Sequence, residues 1–367
     1  MINHPETILL VITKGDVGGA QIHCLDIIRL LKERYRFLLV CGEEGYLTAE
    51  ARLLGIKVSV LESLQRPISP RMDWAAYKEL KALMLETNPS IVHAHSSKAG
   101  VLARIAAARA NIPAVFTAHG WAFTKGVSRK QWIVGLLSEW ILRHFSAVVI
   151  AVSKYDYALA KRYRVCALSN LKVVQNGVGE LASASSVTNV APKIVNIGRL
   201  GGQKNHQFLV KCLAQLDQEF EAIIIGTGDE YHSLVSQIAS LGLENKVQLI
   251  RNVDNVSSYL NQGDVFVLSS EYEGLPLSVL EAMSGKLAVV STDVGGVSEA
   301  VVEGETGYLV ARNDEQAMTA RITELLQNTT LRKSMGEAGY QRYQQYFTAE
   351  RMVSDIDEIY RQVLSAN

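Results

Sequence analysis

The chain predicts an α/β protein made of two consecutive doubly wound parallel-sheet domains. Short, fully apolar runs alternate with segments of helical periodicity along the whole sequence, the pattern of strands buried on both faces and joined by crossover helices. The pattern pauses once, across the Ala- and Ser-rich stretch Gly179 to Pro192, and then restarts. At 367 residues, with 48% hydrophobic and 20% charged residues, the chain is long enough for two cores and apolar enough to fill them.

In order, Thr7–Ile12 reads as a strand ended by a Gly-rich turn, and Ala20–Lys32 has helical spacing. Strands follow at Arg36–Cys41, Ile56–Leu61, Ile91–His95, Ala114–Thr117 and Ala147–Val152. Beyond the pause they resume at Ile194–Ile197, Glu221–Ile225, Val247–Ile250, Val265–Leu268, Ala288–Val290 and Gly307–Val310. Helices at Asp314–Gln327, Leu331–Tyr346 and Ala349–Leu364 close the chain. The expected domains are 1–178 and 193–346, with 179–192 as linker and 347–367 as a C-terminal helix. In such sheets ligands sit beyond the C-terminal strand ends.

Formal net charge is zero but unevenly spread. Residues 1–175 hold 23 Lys+Arg and 13 Asp+Glu (23 − 13 = +10), and residues 176–367 hold 14 and 24 (14 − 24 = −10). A basic first half suits an anionic surface or an acidic acceptor, or simply complements the second domain. A nucleic-acid partner is not expected. Cys24, Cys41, Cys166 and Cys212 form no Cys-x-x-Cys pair, which argues against zinc and disulfides and fits a reducing compartment. The N-terminus has no basic signal-type region, and no apolar run reaches the ~20 residues of a membrane span. The expected location is the cytoplasm.

The richest segment is Ser269–Ser284, where Glu273 and Glu281 stand eight positions apart with Gly274-Leu275-Pro276 after the first. It reads as strand, tight loop and helix. The unpaired N–H groups of a helix start bind anions and hydroxyl oxygens. A glutamate at the loop and another two turns into the helix can serve different parts of one elongated ligand.

With Glu-Gly-Leu-Pro, Gly198-Arg-Leu and Gly295-Gly-Val in the same order, this segment resembles the donor-binding signature of family 4 retaining glycosyltransferases. The resemblance runs from Gly18-Gly19 to the C-terminal helix. It implies the GT-B fold: two Rossmann-like domains facing a cleft, with the last helix crossing back to the first domain. It also implies metal-independent transfer of a hexosyl group from a nucleotide-diphosphate sugar, with UDP favoured over GDP and no further cofactor. The acceptor would be lipid-linked or an oligosaccharide, in bacterial surface polysaccharide assembly, at the inner face of the membrane.

Residue by residue, the resemblance assigns Arg199 and Lys204 to the leaving diphosphate, whose growing charge cations stabilise. Glu281 would accept the ribose hydroxyls, and Glu273 would reach the donor sugar near its anomeric carbon, supporting positive charge there or attacking it. Gly274, Leu275, Leu277 and Ser278 would hold phosphate and sugar oxygens. Gly226, with Gly228, would back the nucleotide, and Arg251, Asn252 and Val253 would hold the base. Gly18, Gly19 and His119 would meet the donor from the first domain.

Other features stay open. His93 and His95 share one face of a strand without an adjoining carboxylate or thiolate, so His95, Ser96 and Lys98 are read as acceptor-side groups rather than metal ligands. Asp355 and Asp357 spell a metal-binding pattern but lie on a helix, about 200° apart, and are read as surface charge. The aromatic and basic stretch Trp121–Phe145 fits either a membrane-surface helix or packed helices of an acceptor lobe. A sugar-nucleotide epimerase and a non-catalytic sugar-nucleotide-binding protein are the rival functions.

Overall fold

The computed structural model describes residues 5–181, 191–251, 253 and 256–366. The chain divides into two units, Met1–Asn176 with Ala349–Asn367, and Gly177–Thr348. The first unit stops at Asn176 rather than at the expected 178. Val178 belongs to the second unit, where it bridges Thr348 and donates its N–H to Phe347 O at 3.0 Å.

The first unit contains β1 (Thr7–Ile12), β2 (Arg36–Cys41), β3 (Lys57–Val60), β4 (Ile91–His95), β5 (Ala114–Ala118), β6 (Val148–Ala151) and β7 (Leu171–Val173). Their order is β3-β2-β1-β4-β5-β6-β7, with every neighbouring pair parallel. Alternation along β1 sends Leu9 and Val11 into one core layer and Ile8, Leu10 and Ile12 into the other. Burial on both faces explains the unbroken apolar run. The edge strand β7 is not signalled in the sequence, because its three residues are mostly exposed.

The helix Ala349–Ser365 completes this unit. Met352, Val353, Ile356, Ile359, Tyr360 and Val363 join the layer formed by Ile8 and Leu10. Tyr360 Oη and His93 Nδ1 are 2.6 Å apart, fixing the helix to β4. Asp357 corrects the surface-charge reading. It is buried and accepts from Tyr35 Oη at 2.7 Å and Arg34 Nη1 at 2.6 Å. The wide angle between the two aspartates turns Asp357 inward and leaves Asp355 outside, paired with Arg351 at 2.8 Å. Burial and the bond to Asp357 push the Tyr35 phenol up to about 12.

Trp121 and Phe123 are likewise interior. Their rings stack with centroids 5.0 Å apart, and Trp121 Nε1 donates to Asp156 O at 2.9 Å. The helix Arg129–Leu142 is tied down by Glu139, which takes two hydrogen bonds of 2.9 Å from the buried Arg104 guanidinium. Arg104 also lies 4.2 Å from the Phe116 ring centroid.

The second unit contains β8 (Lys193–Ile197), β9 (Glu221–Ile225), β10 (Val247–Ile250), β11 (Val265–Leu268), β12 (Ala288–Thr292) and β13 (Gly307–Val310). They form a parallel sheet in the order β10-β9-β8-β11-β12-β13. Strand order therefore reverses between β1 and β4 in one unit and between β8 and β11 in the other. Ligands bind open α/β sheets beyond the strand ends at such reversals.

Removing one member of a buried ion pair strands the other charge. Arg104→Met alone is expected to cost about 3–5 kcal/mol, and Arg104→Met with Glu139→Leu to recover most of it. Denaturant unfolding of the single and double variants measures this.

Candidate active site

In the second unit the reversal point is built by glycines and closed by an ion pair. At the ends of β8 and β9 the two turns touch: a Cβ on Gly226 would lie 1.9 Å from Gly198 O, so only glycine fits there. A Cβ on Gly198 would stand 3.0 Å from Lys204 Cγ, so the bare backbone makes a lane for the lysine stem. The stem carries Lys204 Nζ to 2.6 Å from Glu273 Oε1. Ser270 Oγ donates to the same oxygen at 2.6 Å.

Further contacts hold the two loops together. Ser269 Oγ donates to Lys204 O at 2.8 Å, Gln203 Nε2 to Tyr272 O at 3.0 Å, and Asn205 Nδ2 to Glu271 Oε1 at 2.7 Å. On the other side Gly295, at φ +59°, passes so close that a Cβ would fall 1.9 Å from Glu273 O. The N–H of Gly296 donates to Gly274 O at 2.7 Å. Glu273 is 8% exposed, so its charge is stabilised by these neighbours and little by solvent.

The helix Leu277–Ser284 begins at this loop. Leu275 and Leu277 are buried, and Ser278 Oγ is a buried hydroxyl with no hydrogen bond to a described residue. Glu281 lies partly exposed one turn further along the same helix. Arg199 is exposed and makes no hydrogen bond or ion pair with a described residue. The Arg251 guanidinium stands 4.5 Å from the Tyr231 ring centroid, and Val253 is half-buried. Asn252 lies outside the described residues.

In the first unit, Gly18 is the extended residue before the helix Gly19–Leu31, which starts one residue earlier than expected. The ends of β1 and β4 meet where Thr13 Oγ1 and Ser96 Oγ lie 3.0 Å apart. Ser96 holds φ +69°, an unfavourable value for a residue with a Cβ and the kind of strain that collects at functional sites. Lys98 is engaged by Asp73 and by Pro67 O.

His95 is fully buried and its Nδ1 lies 3.0 Å from His119 Nε2. His23, from the helix, presents its ring to both, with centroids 5.5 Å and 4.8 Å away. His93 is held at both nitrogens, by Tyr360 Oη and by Thr117 Oγ1 at 2.7 Å, so it is a structural histidine. Burial lowers His93, His95 and His119 well below the usual imidazole range and His23 to about 4, with Asn176 opposing the shift of His23.

Two family models match the chain. "Glycosyltransferase Family 4" covers residues 17–179, and "Glycosyl transferases group 1" covers residues 183–342. The chain belongs to glycosyltransferase family 4. This family 4 transferase is 28% identical over 305 residues to the O-antigen biosynthesis glycosyltransferase WbnH of Escherichia coli, spanning 83% of this chain and 86% of that one. It is 29% identical over 324 residues to the UDP-Gal:alpha-D-GlcNAc-diphosphoundecaprenol alpha-1,3-galactosyltransferase of Escherichia coli, spanning 81% and 82% of the two chains. Its fold is that of Anabaena HepE, solved with UDP and glucose, at TM-score 0.85 and 22% identity over 97% of this chain and 100% of that one. The architecture is GT-B.

In the sequence of the transferase, Lys204 is assigned to the leaving diphosphate and Glu273 to the donor sugar near its anomeric carbon, but their direct contact is not foreseen. Also passed over are Gln203 and Asn205, ordinary polar residues whose partners lie more than sixty positions away, and Ser270, whose bond to Glu273 three positions on depends on the loop's fold. His23 was missed because a single histidine in an apolar helix carries no signal.

One neighbour of the site makes stability depend on pH. His206 is buried, and desolvation with help from Lys204 lowers it to about 4. The unfolded imidazole takes its proton near pH 6.5, so between these values the unfolded chain binds more protons and stability falls as pH falls. From pH 7 to pH 5 this group is expected to remove about 2 kcal/mol. Urea midpoints at the two pH values should show a smaller acid loss for His206→Leu than for the natural chain.

Proposed function

We propose that this glycosyltransferase is a retaining, metal-independent hexosyltransferase. It takes a sugar from a UDP-sugar, with a GDP-sugar as the alternative donor, and gives it to a lipid-linked or oligosaccharide acceptor in surface polysaccharide assembly. The observation that carries the reading is the Lys204–Glu273 contact at the β8/β11 reversal, with the helix that starts at Leu277 following the same loop and presenting a buried Ser278 hydroxyl that makes no hydrogen bond to a described residue. The names of relatives support the donor and acceptor classes: one acts on a UDP-galactose and a diphosphoundecaprenol-linked sugar, and another works in O-antigen biosynthesis.

The charges match the reaction. As the bond between the anomeric carbon and the phosphate oxygen breaks, its electron pair stays with the diphosphate and the carbon becomes positive. Lys204, joined by Arg199, faces the developing negative end, and Glu273 the positive end. The pair is thus a fixed dipole along the breaking bond, stronger in the transition state than in the ground state. The acceptor oxygen bonds to the anomeric carbon on the same face, and its proton passes to the leaving phosphate oxygen. Glu281 takes the ribose hydroxyls. Ser278 and the N–H groups of Gly274, Leu275 and Leu277 take phosphate and sugar oxygens. Gly226, Arg251 and Val253 flank the base. Neither an epimerase nor a non-catalytic binder is favoured by any feature of the site.

The acceptor reading includes contact with a membrane surface, through the helix Arg129–Leu142. Its inner side buries Leu136, Glu139 and Leu142, yet Ile133, Val134, Leu137, Trp140 and Ile141 are all exposed. At about 100° per residue these five occupy an arc of about 120°. Exposed Lys125, Arg129, Lys130 and Arg143 border it, and the helix's one carboxylate, Glu139, is neutralised inside by Arg104. An apolar face edged by cations suits an anionic bilayer surface. No helix among the described residues is long and apolar enough to cross a membrane.

Lys204→Met is expected to lower kcat/KM at least about a hundredfold, read as UDP release from UDP-sugars in the presence of a polyprenyl-diphosphate sugar. Turnover within a few-fold of the natural chain would remove Lys204 from the mechanism. Leu137→Glu with Ile141→Glu should abolish flotation with anionic vesicles while leaving hydrolysis of the donor unchanged; equal flotation would dismiss the membrane face.

A further inference from the structure

Trp74 stands on the helix Pro70–Thr87 of the first unit and is 59% exposed, more than any other tryptophan of the chain. The ring is nevertheless held in place. Tyr77 stacks against it, with centroids 5.3 Å apart and planes 23° apart, and Lys78 Nζ lies 5.3 Å from its centroid. Both braces come from the next turn of the same helix. The mount is fixed as well. The neighbouring Asp73 carboxylate accepts from the Ser69 N–H at 3.2 Å and pairs with Lys98, whose ammonium also donates to Pro67 O. Lys98 lies in the first turn of the helix Ser97–Arg109, which follows the end of β4. This knot ties the start of Pro70–Thr87 to the C-terminal strand ends where the sheet order reverses, the place where such sheets take ligands.

We propose that Trp74 is a stacking platform for a sugar ring of the acceptor. The inference deepens the transfer reading and rests on its acceptor side. An indole face is electron-rich and flat, and the C–H face of a pyranose, with its slightly positive hydrogens, lies well against it. The sugar hydroxyls then point outward to water and to polar neighbours. Because Tyr77 and Lys78 already fix the ring, little side-chain freedom is lost on binding. Arg66 and Arg71 are exposed, make no ion pair with a described residue, and suit the diphosphate of a lipid-linked sugar. Asp73, the carboxylate next to the ring, is taken up by Lys98 and Ser69, and Glu79 accepts from Ser63 Oγ at 2.8 Å. The setting differs from the helix Arg129–Leu142, where five large apolar side chains share one arc. From residue 62 to residue 81 only Ile68 and Trp74 are large, apolar and exposed. One braced ring among charged side chains fits a single sugar better than a bilayer.

The full chain, with UDP present, is titrated in a calorimeter with two probes: α-GlcNAc diphosphate carrying a short alkyl tail, and the same alkyl diphosphate without the sugar. Trp74→Ala is expected to weaken the sugar probe about fivefold or more and to leave the sugarless probe unchanged. Trp74→Tyr, which keeps an aromatic face, should retain most of the affinity. UDP binding and slow hydrolysis of UDP-sugar should be the same in all three proteins. Circular dichroism checks that the variants fold. Unchanged affinity for the sugar probe in folded Trp74→Ala would overturn the proposal, as would no saturable binding of that probe by the natural chain. Equal weakening of both probes would also overturn it, by making the ring a contact for the diphosphate or the tail. So would loss of flotation with anionic vesicles in Trp74→Ala, which would give the ring to the bilayer. If the natural chain consumes no UDP-sugar, the transfer reading fails by itself, and the two-probe titration still decides whether Trp74 holds a sugar.

Discussion

The Lys204–Glu273 ion pair is the contact around which the second unit is arranged. Burying two charges is unfavourable unless they meet closely and their remaining valences are satisfied. Glycine makes the approach possible: Gly198 leaves a lane for the lysine stem, and Gly295 lets a neighbouring loop lie against the Glu273 carbonyl. Ser270 adds a second donor to the carboxylate, and Ser269, Gln203 and Asn205 fasten the two loops to each other. The strand order places both loops at one reversal of the sheet, so topology brings the charges near and small residues bring them into contact.

The first unit repeats the same layout with the opposite electrostatic solution. At its reversal, between β1 and β4, the packed polar groups are imidazoles held neutral by burial instead of an ion pair. Neutral rings can crowd at centroid distances of 4–6 Å where like charges could not. The two units thus share a scaffold but not a chemistry, as a fold whose functions are set by its loops allows.

Much of this was legible in the amino-acid order. β1, β2, β4, β9, β10, β11 and β13 have the bounds their mostly apolar runs predict; in β1 and β11 coverage on both faces leaves no polar interruption inside the strand. The glycine-rich turns and the Glu273 to Glu281 segment were legible because they are local. What escaped was non-local or weakly marked. The short β7 has almost no apolar signal, and Asp357 reads like its neighbour Asp355 until the Tyr35 hydroxyl and the Arg34 guanidinium are folded against it. His23 and His95 are 72 positions apart, a distance over which spacing says nothing.

The helix Ala349–Ser365 has a bearing on how the protein is made. A ribosome releases β4 and its His93 more than 250 residues before it releases Tyr360, the partner of that histidine. Domains usually fold in the order in which they emerge. Here the unit that emerges first is finished last. During synthesis the apolar layer of Ile8, Leu10 and Leu25 waits without Met352, Ile356 and Tyr360 to cover it, while the second unit already has all its strands. That interval is when the nascent chain has most to gain from a chaperone.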